Sequence, residues 1–301
     1  MSRERTQPAV IMGLAPPGLA ALRALGTMGI PCLGMWHNPR SEIGRHSRHL
    51  LRSVQVPHRP SHAQLHHALD ELTAPWRDSS PILLPGSDMY AAFIDEMQDE
   101  LRPRYTFRCS RRKLHAAFVD KATTIDICSD AGVPIPRSVA IQTIHDVSSV
   151  CGEFRFPVIV KPRRTSGIAF PGKNFVANSA ADLTQFFEER SDLMDQAVAQ
   201  EVVPSGDGRI VMAVSYSGRD GRVLAQATCR KLRQWPPDYG VTSLGRSEFL
   251  PDVASLNRHF LNVIGYEGFA ATEGFAAMAA VTAVMEGMVV DVMGTVVAVM
   301  V

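Results

Sequence analysis

The chain begins with a short apolar run, residues 9–13, that ends in glycine and gives way at once to an amphipathic spacing over residues 17–25. An unbroken apolar run of this length fits a strand buried on both faces, and a proline at the start of the next stretch fits a first helical turn. The alternation then repeats. Residues 31–36, 53–56 and 81–84 read as strands, and residues 62–72 and 88–101 as helices. Strands separated by helical stretches of ten or more residues predict βαβ units, a parallel sheet and a Rossmann-like first domain.

After about residue 113 the rhythm changes. A helix is expected from Asp120-Lys121, stopped by the glycine and prolines of Ala131-Gly-Val-Pro-Ile-Pro136. Beyond it, strands at 137–141, 157–162, 174–177 and 197–203 alternate with helices at 146–151 and 180–190. Residues 209–215 and 222–230 read as an antiparallel pair joined by the turn-rich Ser217-Gly-Arg-Asp-Gly221. This second region therefore reads as α+β.

Charge narrows the partners. Lys and Arg together number 31 against 30 Asp plus Glu, so no overall field draws the chain to nucleic acid or an anionic membrane. Any anionic ligand must be held by local groups. The five cysteines, Cys32, Cys109, Cys128, Cys151 and Cys229, are scattered without a C-x-x-C pair, which predicts reduced and mostly buried thiols. Residues 1–8 are polar and lack an apolar signal core, so a cytoplasmic location is expected.

Candidate chemistry gathers in the second region. Val158-Ile-Val-Lys161-Pro162 places an ammonium at the mouth of a buried strand, where it suits a phosphate oxygen, although a lysine there is most simply a solvated one. The loop 163–173 carries three cations, two hydroxyls and two glycines, a composition able to cover a triphosphate. Gln200-Glu201-Val202-Val203 can offer main-chain groups to an adenine edge, and Asp207 can accept from ribose hydroxyls. The first turn, Gly13 to Gly18, lacks the G-x-G-x-x-G spacing, so a nicotinamide dinucleotide is not expected there. His62 and His66 share a helix face, but no cysteine or acid pattern completes a metal site around them.

The order Asp120-Lys121, Gly132-Val-Pro-Ile-Pro136, Val158-Ile-Val-Lys161-Pro162, Gln200-Glu201-Val-Val-Pro and Arg230-Lys231-Leu-Arg-Gln-Trp-Pro-Pro237 resembles the ATP-grasp superfamily, in its carboxylate–amine ligase branch related to D-aspartate ligase. The resemblance spans roughly residues 8–273. It implies a Rossmann-like pre-ATP-grasp domain over 1–112 and a two-lobed ATP-grasp domain over 113–273, with the small lobe at about 113–203 and the large lobe beginning at about 204. It further implies ATP between the lobes, with Lys121 and Lys161 on its phosphates. Val203 through its backbone, with Val202 beside it, and Glu201 or Gln200 would meet adenine, and Asp207 the ribose. Lys231 would face the γ-phosphate and substrate, and Glu273 would be the first ligand of Mg²⁺. The reaction so implied joins a small carboxylate to an amine, or to a thiol, through an acyl phosphate. Nucleic acid and membrane are not expected partners, and a homodimer is compatible with the resemblance.

The C-terminal end departs from that pattern. The family supplies a second metal-ligand strand with an asparagine, yet residues 274–301 contain no Asn, Pro, Lys or Arg and only two acids, Glu286 and Asp291. Two acids near the middle and no basic flank also argue against a membrane span, despite enough length. The abrupt change after Glu273 suggests a shifted frame or truncation, and with it an ATP-grasp fold incomplete at its C-terminus. A catalytically inactive ATP-binding or interaction protein is the rival expectation.

Overall fold

The computed structural model describes residues 7–110, 114–164, 170–172, 174–203, 208–235, 241–275 and 293–294. Its strands form three sheets. The first contains β1 (Ala9–Met12), β2 (Cys32–Trp36), β3 (Leu50–Gln55) and β4 (Ile82–Pro85) in the order β3-β2-β1-β4. All its pairings are parallel. Because side chains alternate along a strand, β1 sends Val10 and Met12 into one core and Ala9 and Ile11 into another. Helices α1 (Pro16–Thr27), α2 (His62–Thr73), α3 (Asp88–Glu96) and α4 (Gln98–Leu101) complete this unit. Leu22 of α1 lies in one core, and Leu69 of α2 with Phe93 of α3 in the other, so the sheet is covered on both faces as a parallel sheet requires.

The single helix expected over 88–101 is two. Met97 sits at φ −101°, ψ 17°, outside the helical region. Just beyond it, the buried Gln98 turns its amide inward onto the Asp95 carbonyl and carboxylate. A polar side chain bonding back to the main chain in this way competes with the helical ladder.

After α5 (Leu114–Val119) and α6 (Lys121–Asp130) comes a fully antiparallel sheet of β5 (Ser138–Ile141), β6 (Val158–Pro162), β7 (Phe175–Ala177) and β8 (Ala197–Glu201), ordered β5-β8-β6-β7. Helices α7 (Ile144–Glu153) and α8 (Ala180–Glu189) pack on one face, where Val147, Val150, Leu183 and Phe187 meet Val158, Val160, Ala197 and Ala199. Each helix starts at a capping box, Thr143 with Asp146 and Ser179 with Asp182. The intervening strand residues Ile159, Lys161, Val198 and Gln200 point to the opposite face.

The third sheet runs β11-β10-β9-β12-β13, with β9 (Ile210–Ser217), β10 (Val223–Trp235), β11 (Val241–Ser247), β12 (Gly268–Phe275) and β13 (Met293–Gly294). Along β9, Val211, Ala213, Ser215 and Ser217 are buried, whereas Ile210, Met212, Val214 and Tyr216 are half-buried. Helix α9 (Pro251–Ile264) covers the buried face, and Val253 packs with Val211 and Ala213. Asn257 ties it down by donating to Ser215 Oγ at 2.8 Å and accepting from Thr272 Oγ1 at 2.9 Å. The helix closes at Gly265, whose φ of 65° is left-handed and favours glycine. Phe260 and Leu261 of α9 share a core with Leu114 and Phe118 of α5 and Cys128 of α6, which joins the third sheet to the helices preceding the second. No helix among the described residues is long and apolar enough to cross a membrane.

Candidate functional site

Lys161 leaves the buried run of β6 on the face away from α7 and α8, and its Nζ donates to Gln200 Oε1 at 3.0 Å. Gln200 lies on the neighbouring strand, paired with Ile159, two residues before the lysine. Gln200 Nε2 in turn donates to Ser138 Oγ at 2.8 Å across the next strand. Lys121 is brought to the same corner through the main chain: its N–H donates to the Arg163 carbonyl at 2.9 Å, two residues beyond Lys161.

Asp120 makes that junction firm. Its side chain is 4% exposed and caps α6, accepting from the N–H groups of Ala122 and Thr123. Arg163 Nε donates to both carboxylate oxygens at 2.8 Å, and Arg164 Nε to one at 3.3 Å. Burial opposes the charged carboxylate, but the bonds from Arg163 and from the Thr123 N–H win and hold its pKa below the usual range. The first two residues of the loop 163–173 are thereby anchored to the start of α6. Residues 165–169 and 173 of that loop lie outside the described residues.

The adenine-facing candidates follow β8. The Glu201 carboxylate accepts from the Arg155 N–H at 2.9 Å, the Val202 N–H donates to the Pro157 carbonyl at 3.1 Å, and Val203 packs against the core shared by α6 and α9. Asp207 lies outside the described residues. Its neighbour Gly208 is held at both ends of its peptide unit, its N–H on the Lys231 carbonyl at 3.0 Å and its carbonyl on Arg230 Nη1 at 2.8 Å. The segment from 200 to 208 thus starts beside Lys161 and finishes beside Lys231.

Lys231 lies within β10. It is 5% exposed, and its Nζ contacts Glu273 Oε1 at 3.0 Å over the intervening β9. Both residues are on the sheet face opposite α9. Cys229 beside them has a raised pKa, from burial first and the Glu273 charge second. Arg230 grips Glu248 with two bonds of 2.9 and 2.8 Å, and Arg246 adds a third at 2.7 Å, pushing the Glu248 carboxyl down to about 2.

Glu273, the residue expected to be the first ligand of Mg²⁺, is paired here with the Lys231 ammonium. Magnesium in phosphate sites uses one or two carboxylates and fills its octahedron with phosphate oxygens and water, so the donor chemistry fits once the Lys231 ammonium gives way. Among the described residues no group of three His, Cys, Asp or Glu forms a metal cluster. His62 and His66 instead lie near carboxylates, Glu96 at 3.5 Å and Asp70 at 3.4 Å. All five cysteines are free thiols, two of them buried and three partly so.

Sequence reasoning missed Ser138 and Glu42. Ser138 could not be found without the strand register. Glu42 is buried beside the first sheet, accepting from the Leu14 N–H at 2.8 Å with one oxygen and from the His37 and Asn38 N–H groups at 2.6 and 2.7 Å with the other. It fills the turn that follows β1 with a carboxylate.

Neither a family model nor a curated protein matches the chain. Solved structures do match. An ADP complex of carboxyaminoimidazole ribonucleotide synthetase is 13% identical with a TM-score of 0.64, over 91% of this chain and 68% of that one. The biotin carboxylase domain of the Hydrogenobacter thermophilus 2-oxoglutarate carboxylase, a dimer with MgADP, ADP and bicarbonate, is 15% identical with a TM-score of 0.64, over 91% and 62%. An L-amino acid ligase from Bacillus licheniformis is 13% identical with a TM-score of 0.63, over 90% and 64%. The chain spans about two thirds of the length of these matched chains. At such identities the likeness establishes the fold: a Rossmann-like domain followed by the ATP-grasp fold. By their names the matched structures are a ribonucleotide synthetase, a biotin carboxylase domain and an amino acid ligase.

Proposed function

We propose that this chain is an ATP-dependent carboxylate–amine ligase, within the ATP-grasp branch that resembles D-aspartate ligase. The observation that carries the proposal is the junction of the start of α6 with the end of β6, where the Lys121 main-chain N–H donates to the Arg163 carbonyl at 2.9 Å, two residues beyond Lys161. Lysines carried by the adjoining ends of a helix and of an apolar strand suit a polyphosphate, and the ATP-grasp fold gives such a ligand a cleft. In this reading residues 1–112 are the pre-ATP-grasp domain, 113–203 the small lobe, and the large lobe begins at 204.

Both reactants in the first step are anions. A substrate carboxylate oxygen attacks the γ-phosphorus, the bond to the β-phosphate oxygen breaks, and ADP leaves. The amine then attacks the acyl carbon, the C–O bond to phosphate breaks, and the amine loses a proton. Lys121, Lys161 and Lys231 offset the repulsion and stabilise charge on the transferring group. The backbone of Val203, with Val202 and Glu201 beside it, takes adenine, and Asp207 the ribose. The loop 163–173, anchored by Asp120, excludes water from the acyl phosphate. Glu273 would hold magnesium, which supplies further positive charge at the phosphates.

A second reading, an ATP-binding protein without turnover, is favoured by the 3.0 Å contact of Glu273 with Lys231, which commits the metal-binding carboxylate to an ammonium. One experiment separates them. Mg-ATP and a panel of amino acids are mixed with the protein and with Lys161→Met, and ADP release is followed. Ligation predicts amino-acid-dependent ADP release that falls at least about 100-fold in the variant. ATP binding without release supports the second reading, and absence of nucleotide binding removes both.

A further inference from the structure

The bonds around Lys161 form a directed chain. A lysine ammonium can only donate, so the Gln200 oxygen must face it, at 3.0 Å. The Gln200 NH₂ therefore faces Ser138 Oγ, at 2.8 Å, and the Ser138 hydroxyl spends its proton on the Pro136 carbonyl, at 2.8 Å. The direction of the amide is fixed by the two ends of the chain rather than by choice. The strand register makes this possible. Gln200 is opposite Ser138 on one side and Ile159 on the other, and the period of two puts Ser138, Gln200 and Lys161 on the same face of three adjacent strands. Gln200 is 6% exposed, so its amide is committed to this chain and not to solvent.

The identity of the partner matters as much as its place. Lys231 meets a carboxylate and Asp120 meets guanidinium groups, whereas Gln200 offers Lys161 a neutral amide oxygen. A neutral acceptor fixes the direction of an ammonium without adding a negative charge of its own, which suits a group that is to meet phosphate.

We propose that Gln200 and Ser138 are positioning residues for Lys161, aiming its ammonium at the nucleotide phosphates, and that the Gln200 amide is not an adenine contact. This rests on the ATP-binding reading above. The two assignments for Gln200 differ in what they do to adenosine, which carries the base and ribose but no phosphate.

The test is titration calorimetry of the full chain with ATP and with adenosine. Gln200→Met keeps the bulk and removes the bond, and is expected to weaken ATP about tenfold, as for one charge-assisted hydrogen bond, while changing adenosine by less than about twofold. Ser138→Ala is expected to weaken ATP about threefold through the loosened amide, again sparing adenosine. Gln200→Glu is the closest in shape, yet it should weaken ATP more than Gln200→Met does, because a carboxylate pairs with the ammonium and repels phosphate. A purely structural role would order these two variants the other way. Equal losses for ATP and adenosine in Gln200→Met would overturn the proposal in favour of adenine contact. Unchanged ATP affinity in Ser138→Ala would overturn it even if the Gln200 variants fail to fold. Wild-type protein that binds no ATP removes the ligase reading itself, a result distinct from both.

Discussion

At the scale of single residues, the corner around Lys231 and Arg230 is held by two charge clusters with different exposure. Lys231 is almost wholly buried and Glu273 is 23% exposed, so loss of the lysine leaves a carboxylate poorly solvated beside apolar neighbours. Removing one member of a fully buried pair costs 3–5 kcal/mol, and the partial exposure reduces the expected loss in Lys231→Met to about 2 kcal/mol. Urea unfolding checks it, and the double change Lys231→Met with Glu273→Leu should recover most of the loss. A single variant as stable as the parent would mean that the pair does not form in solution. Glu248 provides the pH prediction. Arg230 first and Arg246 next depress its carboxyl to about 2, below the ordinary glutamate value near 4.3. The stabilisation it gives is therefore complete above about pH 4.3 and is lost as pH falls through about 2. A carboxyl-detected NMR titration should find Glu248 still ionised at pH 3, and a midpoint near 4 would contradict the three-bond fork.

At the scale of elements, α9 is bound to its sheet by one polar side chain as well as by its apolar stripe. Asn257→Ala would leave the Ser215 and Thr272 hydroxyls buried without their present partner, a loss of about 3 kcal/mol for two such groups. Chemical unfolding measures it, and hydrogen exchange along β9 should rise in parallel. A change under about 0.5 kcal/mol would show that water replaces the amide.

The same elements mark what the amino-acid pattern discloses. Strands β1, β6 and β8 are legible because continuous apolar runs end at glycine, proline or charge, and the caps at Ser179 and Asp120 announce α8 and α6. Helix α9 went unread although its signals are present: Pro251 in the first turn, Gly265 beyond the last, and buried positions at Val253, Ala254, Asn257, Phe260 and Leu261. The polar residue in that stripe hides the period. Strand β11 offers far less, since several of its residues are exposed and it lies at the edge of its sheet. In the site, Lys161 and the segment from Gln200 were visible as a strand end and an extended run. The link from Lys161 through Gln200 to Ser138 was not, because it depends on which strands are neighbours, and β8, the last of its sheet in the chain, is inserted between β5 and β6.

At the scale of the whole molecule, the order of short motifs carried the fold further than any one of them could. Each was compatible with a plain strand end or surface loop, and together they described an ATP-grasp arrangement that solved structures of 13–15% identity share. Composition had the complementary use. A near balance of 31 basic and 30 acidic residues turned attention from long-range fields to local pairs, and it is in local pairs that the charges of this corner are spent.

Glu42 gives the first sheet a character of its own. The Leu14 N–H, in the turn where a dinucleotide-binding protein would face a pyrophosphate, is already satisfied by an internal carboxylate that also holds the His37 and Asn38 N–H groups after β2. Grafting the missing glycines into the turn after β1 would therefore not convert this half of the molecule to cofactor binding, since an incoming phosphate would first have to evict a glutamate with three bonds to lose.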